Sequence, residues 1–474
     1  MRTFVERQGR VTLILLVAIL ALGLGLRAYR VAEPLATPGD DSHAYFALSK
    51  ALYEEGSFGG PDFRDASDWS PGAPLLYAAA FYATGGAREG TARFVEALLG
   101  AAAILVVFLL AKRIACRPAG LVAAFGVAVY PPFIHSTGVL ASEPPAIFTL
   151  PAAILAFLWA SDGLGTALRA GGIGGGGSRT PSPAAPPSPY DRTRALRWLI
   201  PGLLFGLTAL IRPEYLFVGV AFVTLAAIRI GIARGWKPGL AGAALLLAGF
   251  LLPIVPWTAR NAVELDRFVP VSTGGGKALY VGTFLPGDGE YQRVKARLVR
   301  RYRGLDLKPG SEALDRISPT PLFDRVWRSR YPDLPRDSAL GRIGKENFSK
   351  FAGDDPVGYA AMTVRKTWRM WSGGVGEAMS STAGRSVQVL LVALGLAGLG
   401  VFAWRRWWWE LVAMATPLVL VTAVGAASLA APRRNEVLMT LVIPLAAAAL
   451  ARAGGALSSR RPWSFPRQAS SPQS

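Results

Sequence analysis

Two adjacent carboxylates, in Gly39-Asp40-Asp41-Ser42-His43-Ala44-Tyr45, could take a proton from an incoming hydroxyl or hold a divalent cation. The plainer structural role for such a pair is a solvated turn with an Asp at a helix N-cap. A third acid, Glu143, sits in Ser142-Glu143-Pro144-Pro145 just before an apolar run, where it would also complement a helix dipole. Three basic motifs could receive an anionic group: Arg212-Pro213-Glu214, Trp257-Thr258-Ala259-Arg260-Asn261 and Arg433-Arg434-Asn435-Glu436. The forked guanidinium suits phosphate, although the same residues could simply snorkel at a membrane interface. The loop Ser272-Thr273-Gly274-Gly275-Gly276-Lys277 does not match the spacing of a nucleotide-binding loop and is read as a tight turn. With one cysteine, Cys116, and two histidines, the chain has no intrachain disulfide and no Cys/His metal cluster, so any cation must sit on carboxylates.

The elements that must position these residues lie in membrane. Charged residues make up only 17% of the chain and apolar ones 51%, which argues against a soluble enzyme. The apolar residues gather into ten runs: 11–26, 92–111, 119–133, 146–160, 198–210, 215–228, 240–257, 387–404, 411–430 and 437–450. The first is read as a retained anchor, because its apolar stretch is long for a signal peptide and no A-x-A site follows. With the N-terminus inside, the clearly basic short loops fall on the cytoplasmic side. The opposite segment, 30–91, carries nine acids against four bases. The net charge of +20 is therefore mainly a topology signal and not a nucleic-acid footprint.

Four parts follow from this pattern. Residues 1–257 form an N-terminal transmembrane catalytic module, with an acidic outer loop at 30–91 and a Gly/Pro-rich cytoplasmic linker at 161–197. Residues 258–385 form an external domain, expected to be α/β or irregular, with 22 Lys or Arg against 14 Asp or Glu. Residues 386–452 are C-terminal transmembrane helices, and 453–474 a disordered cytoplasmic tail. Within the outer domain, Val357 to Trp371 alternates apolar residues with Arg365, Lys366 and Arg369, as a helix lying on the membrane surface would.

Taken in order, these motifs resemble the GT-C membrane glycosyltransferases of the protein mannosyltransferase and aminoarabinose transferase type. The resemblance rests on Gly39-Asp40-Asp41 with Tyr45, and on Ser70-Pro71-Gly72-Ala73-Pro74-Leu75-Leu76-Tyr77, which is similar to a proline-rich P-P-L-Y segment. It continues through Ser142-Glu143, Gly206 to Glu214, Pro256 to Asn261 and the Gly-rich stretch ending Leu279-Tyr280, with an echo at 433–444. The acidic pair is Asp-Asp where the family has Asp-Glu, and Gly72 and Ala73 replace part of the proline run. The resemblance implies an all-α polytopic protein of about ten transmembrane helices with amphipathic juxtamembrane helices. It implies inverting transfer of a sugar from a polyprenyl-phosphate donor to an external hydroxyl or amine. The acceptor could be protein, lipid or polysaccharide. Asp40 or Asp41 would be the base, with Glu143 as a further catalytic acid residue. Arg212, Arg260, Arg433 and Arg434 would meet the donor phosphate, and Tyr45, Tyr77, Glu214 and Lys277 the substrate. No cofactor is required, although a divalent cation could join Asp40 and Asp41.

Two other classes remain open to the sequence. A lipid or sugar transporter or flippase would place charges or broken helices near the bilayer midplane, whereas the ionisable groups here gather at span ends. A noncatalytic component of envelope glycan assembly would tolerate loss of both aspartates. The composition leads us to expect a bacterial plasma-membrane protein with both termini cytoplasmic.

Overall fold

The computed structural model describes residues 2–33, 41–59, 66–162 and 195–455. Asp40, most of the Gly/Pro linker and nearly all of the C-terminal tail lie outside them. Among the described residues there are twenty α-helices and no strand. Eight are long and apolar enough to cross a membrane: α1 (Arg2–Ala32, from Gly9), α4 (Glu89–Ile114), α7 (Glu143–Ala160), α9 (Tyr215–Arg234), α10 (Trp236–Leu265), α18 (Thr382–Trp404), α19 (Trp408–Ala427) and α20 (Pro432–Ala453). Two shorter apolar helices, α5 (Arg117–Val129) and α8 (Leu199–Ile211), complete the ten runs seen in the sequence. The chain is thus an all-α, multi-pass membrane protein.

Helices α7 and α20 are the most enclosed of the set, whereas α1 and α18 leave most of their apolar surface open to lipid. Lipid tails offer no hydrophobic drive for helices to associate, so close backbone packing must supply it. In α8 the pair Gly202 and Gly206 does this against α10: a Cβ at Gly202 would fall 2.1 Å from the Leu246 carbonyl oxygen, and one at Gly206 2.3 Å from that of Phe250. Arg27 lies inside α1, not at its end, because the helix runs on to Ala32. Its guanidinium donates to the carbonyls of Gly23, Val127 and Ala128 at 3.0 to 3.3 Å. It therefore satisfies the last turn of α5, which Pro131 and Pro132 would otherwise leave open.

The segment expected to be α/β or irregular is helical, with irregular connections. Helices α11 (Gly275–Thr283), α12 (Tyr291–Arg303), α13 (Glu312–Asp315), α14 (Thr320–Arg328) and α15 (Arg336–Asp354) enclose a separate small core. Tyr280, Val281, Val294, Leu298, Phe323, Leu340 and Ile343 are among its residues. The reason is periodicity: in α12 the buried positions 294, 295, 298 and 299 recur at helical spacing, with arginines between them. Helix α10 continues past Trp257 to Leu265, so the chain leaves the bundle as an unbroken helix.

Helix α16 (Pro356–Ser372) joins this small core to the bundle. Met362, Lys366 and Met370 form its buried face, while Val357, Val364 and Trp368 stand exposed at 78%, 69% and 60%. An apolar exposed stripe flanked by Arg365 and Arg369 is what an interfacial helix requires. Lys366 donates to the carbonyls of Gly282 (2.7 Å) and Ser428 (2.9 Å), linking α11, α16 and the end of α19. Gly282 must be glycine here, since a Cβ would fall 2.0 Å from Ser428.

Candidate active site

Five helix ends meet at one mouth of the bundle. Asp41 opens α2 (Asp41–Glu54) and Glu143 opens α7, followed by two prolines that the first turn tolerates because its N–H groups lack partners. Pro213 bars Arg212 from the α region, so α8 stops at Arg212 and Glu214 leads into α9. Pro432 likewise starts α20, carrying Arg433 and Arg434 in its first turn.

Glu143 is the centre of this cluster, its side chain only 4% exposed. It accepts from Arg212 Nη1 at 2.9 Å and from Arg433 Nε at 2.8 Å. Arg433 also pairs with Asp41. Arg212 reaches Glu214 at 2.9 Å and Ser142 Oγ at 3.4 Å. Burial alone would raise the Glu214 carboxyl, but Arg212 and Arg434 outweigh it and hold the group below the ordinary carboxylate range. Burial would likewise lower Arg212, and Glu214 and Glu143 reverse that and keep it charged. Arg434 donates to Ser428 Oγ at 3.3 Å. Arg433 is the open member, its side chain 45% exposed against 10% for Arg212. An anion arriving at the mouth would therefore meet Arg433 first.

The predicted substrate residues divide. Tyr45, on α2, lies beside Ser142, and burial followed by the Glu143 charge pushes its phenol up. Tyr77, on α3 (Gly72–Thr84), is fully buried. Its hydroxyl lies 2.5 Å from Glu96 Oε1 and 3.1 Å from the Ala141 carbonyl. It thus braces the turn before Ser142. Gly72 explains the departure from the proline run: a Cβ there would come 2.7 Å from the Ile211 amide, beside Arg212. Lys277 lies over the rings of Tyr291 and Phe323 at 5.5 and 5.4 Å. Burial, followed by the Asp41 carboxylate, pushes the Tyr291 phenol up to about 12. Arg260 makes its contacts elsewhere: it donates to the Phe58 carbonyl at 3.1 Å and stacks on Trp257 at 5.2 Å.

Two further buried acids, Glu96 and the Glu436 that closes the last basic motif, have no role assigned from the sequence. Glu96 is fully buried two turns inside α4, and Glu436, 1% exposed, lies near Glu143 with its Oε1 lacking a partner. An acid inside an apolar run is itself a signal, since it is costly there unless it has a purpose. With Arg27, these residues qualify the expectation that ionisable groups stay at span ends. No three His, Cys, Asp or Glu side chains converge among the described residues, and Asp41 is engaged by Arg433. Asp40, the other half of the expected acidic pair, lies outside the described residues.

The polytopic helix bundle, with charged groups gathered at one mouth, shares its fold with a solved membrane enzyme and part of its sequence with a known family. Residues 72–172, which include Tyr77, Glu96 and Glu143, match the family profile of dolichyl-phosphate-mannose-protein mannosyltransferase. The chain is similar to the archaeal oligosaccharyltransferase AglB from Archaeoglobus fulgidus, solved with an inhibitory peptide and a dolichol-phosphate. The TM-score is 0.55 at 16% identity, over 94% of this chain and 51% of that one. The apo form of the Archaeoglobus fulgidus enzyme gives 0.54 at 16% identity, over 94% and 50%. The chain thus spans about half the length of that enzyme. ArnT from Cupriavidus metallidurans, bound to undecaprenyl phosphate, aligns at 14% identity over 92% and 78% with a TM-score of 0.36. No curated protein matches the chain. At 16% identity the likeness to the Archaeoglobus fulgidus enzyme is one of fold.

Proposed function

We propose that this protein transfers a sugar from a polyprenyl-phosphate donor to a hydroxyl or amine acceptor on the external face of the membrane, with inversion at the anomeric carbon. The observation that carries this reading is the convergence of Asp41, Glu143, Arg212 and Arg433 at the mouth of an apolar bundle. The family profile over residues 72–172 and the dolichol-phosphate held by the archaeal oligosaccharyltransferase support the donor class.

In this reading Asp40 or Asp41 takes the proton as the acceptor oxygen attacks the anomeric carbon, and the bond from that carbon to the phosphate oxygen breaks. General-base assistance of this kind contributes typically ~10² to 10⁴-fold. The leaving polyprenyl phosphate gains one negative charge, so it needs cationic donors and no general acid. Arg433 and Arg434 meet that charge, while Arg212 and Glu143 hold Arg433 in place. The apolar bundle takes the polyprenyl tail. The termini are cytoplasmic and the mouth external, in a bacterial plasma membrane.

The test is release of polyprenyl phosphate from a panel of radiolabelled polyprenyl-phosphate sugars by protein reconstituted in lipid, with reporter fusions at Gly310 and at the C-terminus fixing the topology. Turnover of one donor, with Gly310 outside, is expected. Movement of intact donor across the bilayer without cleavage would make the protein a transporter.

A further inference from the structure

The helical domain carries a basic surface that the cluster at the mouth does not use. Helix α12 presents arginines at 293, 297, 300, 301 and 303, all exposed, and has no acidic residue along its length. Among the described residues, Arg297, Arg301 and Arg303 form no ion pair, and Arg300 reaches Asp306 only at 4.0 Å. Beside the end of this helix lies a cleft of about 690 Å³ lined by Tyr302, Pro321, Asp324, Arg325, Arg328 and Ser329. Arg325 donates to the Tyr302 carbonyl at 3.1 Å, and its guanidinium and that of Arg301 lie 5.9 and 5.4 Å from the Tyr302 ring. Guanidinium forks held over an aromatic ring, at the end of a row of exposed arginines, are suited to the spaced carboxylates of an acidic polymer.

The position of the ridge links it to the reaction. Its first residue, Tyr291, lies under Lys277 of α11 at 5.5 Å, and α11 is tied through Gly282 and Lys366 to Ser428, which Arg434 of the mouth also reaches. From Tyr291 to Tyr302 the helix rises roughly 16 Å. The arginines therefore form a track leading from the mouth to the cleft.

We infer that this track is the docking surface of the acceptor and that the acceptor is an acidic polysaccharide. The inference rests on the transferase reading for the word acceptor, but the surface itself does not. A bilayer is the competing partner for a basic helix. It fits α16, whose exposed face holds Val357, Val364 and Trp368, but not α12, whose exposed positions are arginines with no large apolar residue among them.

The experiment is fluorescence anisotropy of labelled oligogalacturonate, with neutral dextran of matched length as control, on the full chain in phosphatidylcholine nanodiscs. The variants are Arg297→Glu/Arg301→Glu/Arg303→Glu and the milder Arg325→Gln, each with its melting temperature measured. The expected result is salt-dependent binding of the acidic sugar but not of dextran. It should weaken at least tenfold in the triple variant and measurably in Arg325→Gln, with melting unchanged. Equal binding by wild type and both variants, or binding of dextran as well, would overturn it. So would loss confined to phosphatidylglycerol vesicles, since the ridge would then serve the membrane. If the acidic sugar binds but no donor is cleaved, the surface stands and the transferase reading falls.

Discussion

Arg433 and Glu143, 290 residues apart in the chain, stand with Nε 2.8 Å from Oε1, and the same guanidinium also holds Asp41. One residue of the last helix thus joins the carboxylate that opens α2 to the carboxylate that opens α7. In the proposed reaction this bridge sets the distance between the acid side and the phosphate side of the mouth.

Replacing Arg433 by Ala is expected to lower kcat by about 10² to 10³-fold, the cost of removing one preorganised donor from developing charge. Lys at this position will restore little, because one ammonium cannot bridge two carboxylates as a planar fork does. Steady-state kinetics of Arg433→Ala and Arg433→Lys check this. Full activity in the Lys variant would show that charge alone suffices.

Glu143→Gln leaves Arg212, 10% exposed, without one of its two carboxylates. Breaking a buried pair on one side costs about 3 to 5 kcal/mol, so the variant should melt several degrees below wild type in the same lipid. An unchanged melting curve with lost turnover would instead assign Glu143 a direct chemical role.

The ten apolar helices were legible, eight of them long enough to span, because apolar runs of this length have few other uses. The joint at Arg212-Pro213-Glu214 was legible too, since the proline ends a helix wherever it falls. The contrast between Arg433 and Arg260 was not. Both sit near a helix end in a basic motif, and only the fold aims one at Glu143 and the other at Phe58. Tyr77 had the motif of a substrate residue, but its hydroxyl faces Glu96, an acid hidden in an apolar run. The helical nature of 275–354 could have been read from the spacing of Val294, Leu298 and Val299 among arginines. Asp40 lies outside the described residues, so the choice between the two aspartates belongs to experiment.

Lys366 supplies a pH dependence. Burial, followed by Arg434 and Arg369, lowers its ammonium to about 8, against about 10.4 in an unfolded chain. Between those values the unfolded state binds more protons, so stability rises with pH across that window and the cost of charging is fully present below it. The gain is roughly 3 kcal/mol. Melting of wild type relative to Lys366→Met should therefore rise from pH 8 to pH 10. A flat difference would mean that the carbonyls of Gly282 and Ser428 fully stabilise the charged form.

Positive charge at the mouth comes from Arg212, Arg433 and Arg434, so donor cleavage is expected to survive chelation. Turnover measured with and without EDTA, after dialysis, checks this. Loss of activity restored by manganese or magnesium would place a cation on the aspartates.

The most direct measurement is turnover of the cleaved donor by wild type, Asp40→Asn and Asp41→Asn in lipid, each with its melting temperature. One variant is expected to lose at least ~10²-fold in kcat while folding normally. Unchanged turnover in both, or complementation by both in cells with no donor cleaved by any form, would contradict it.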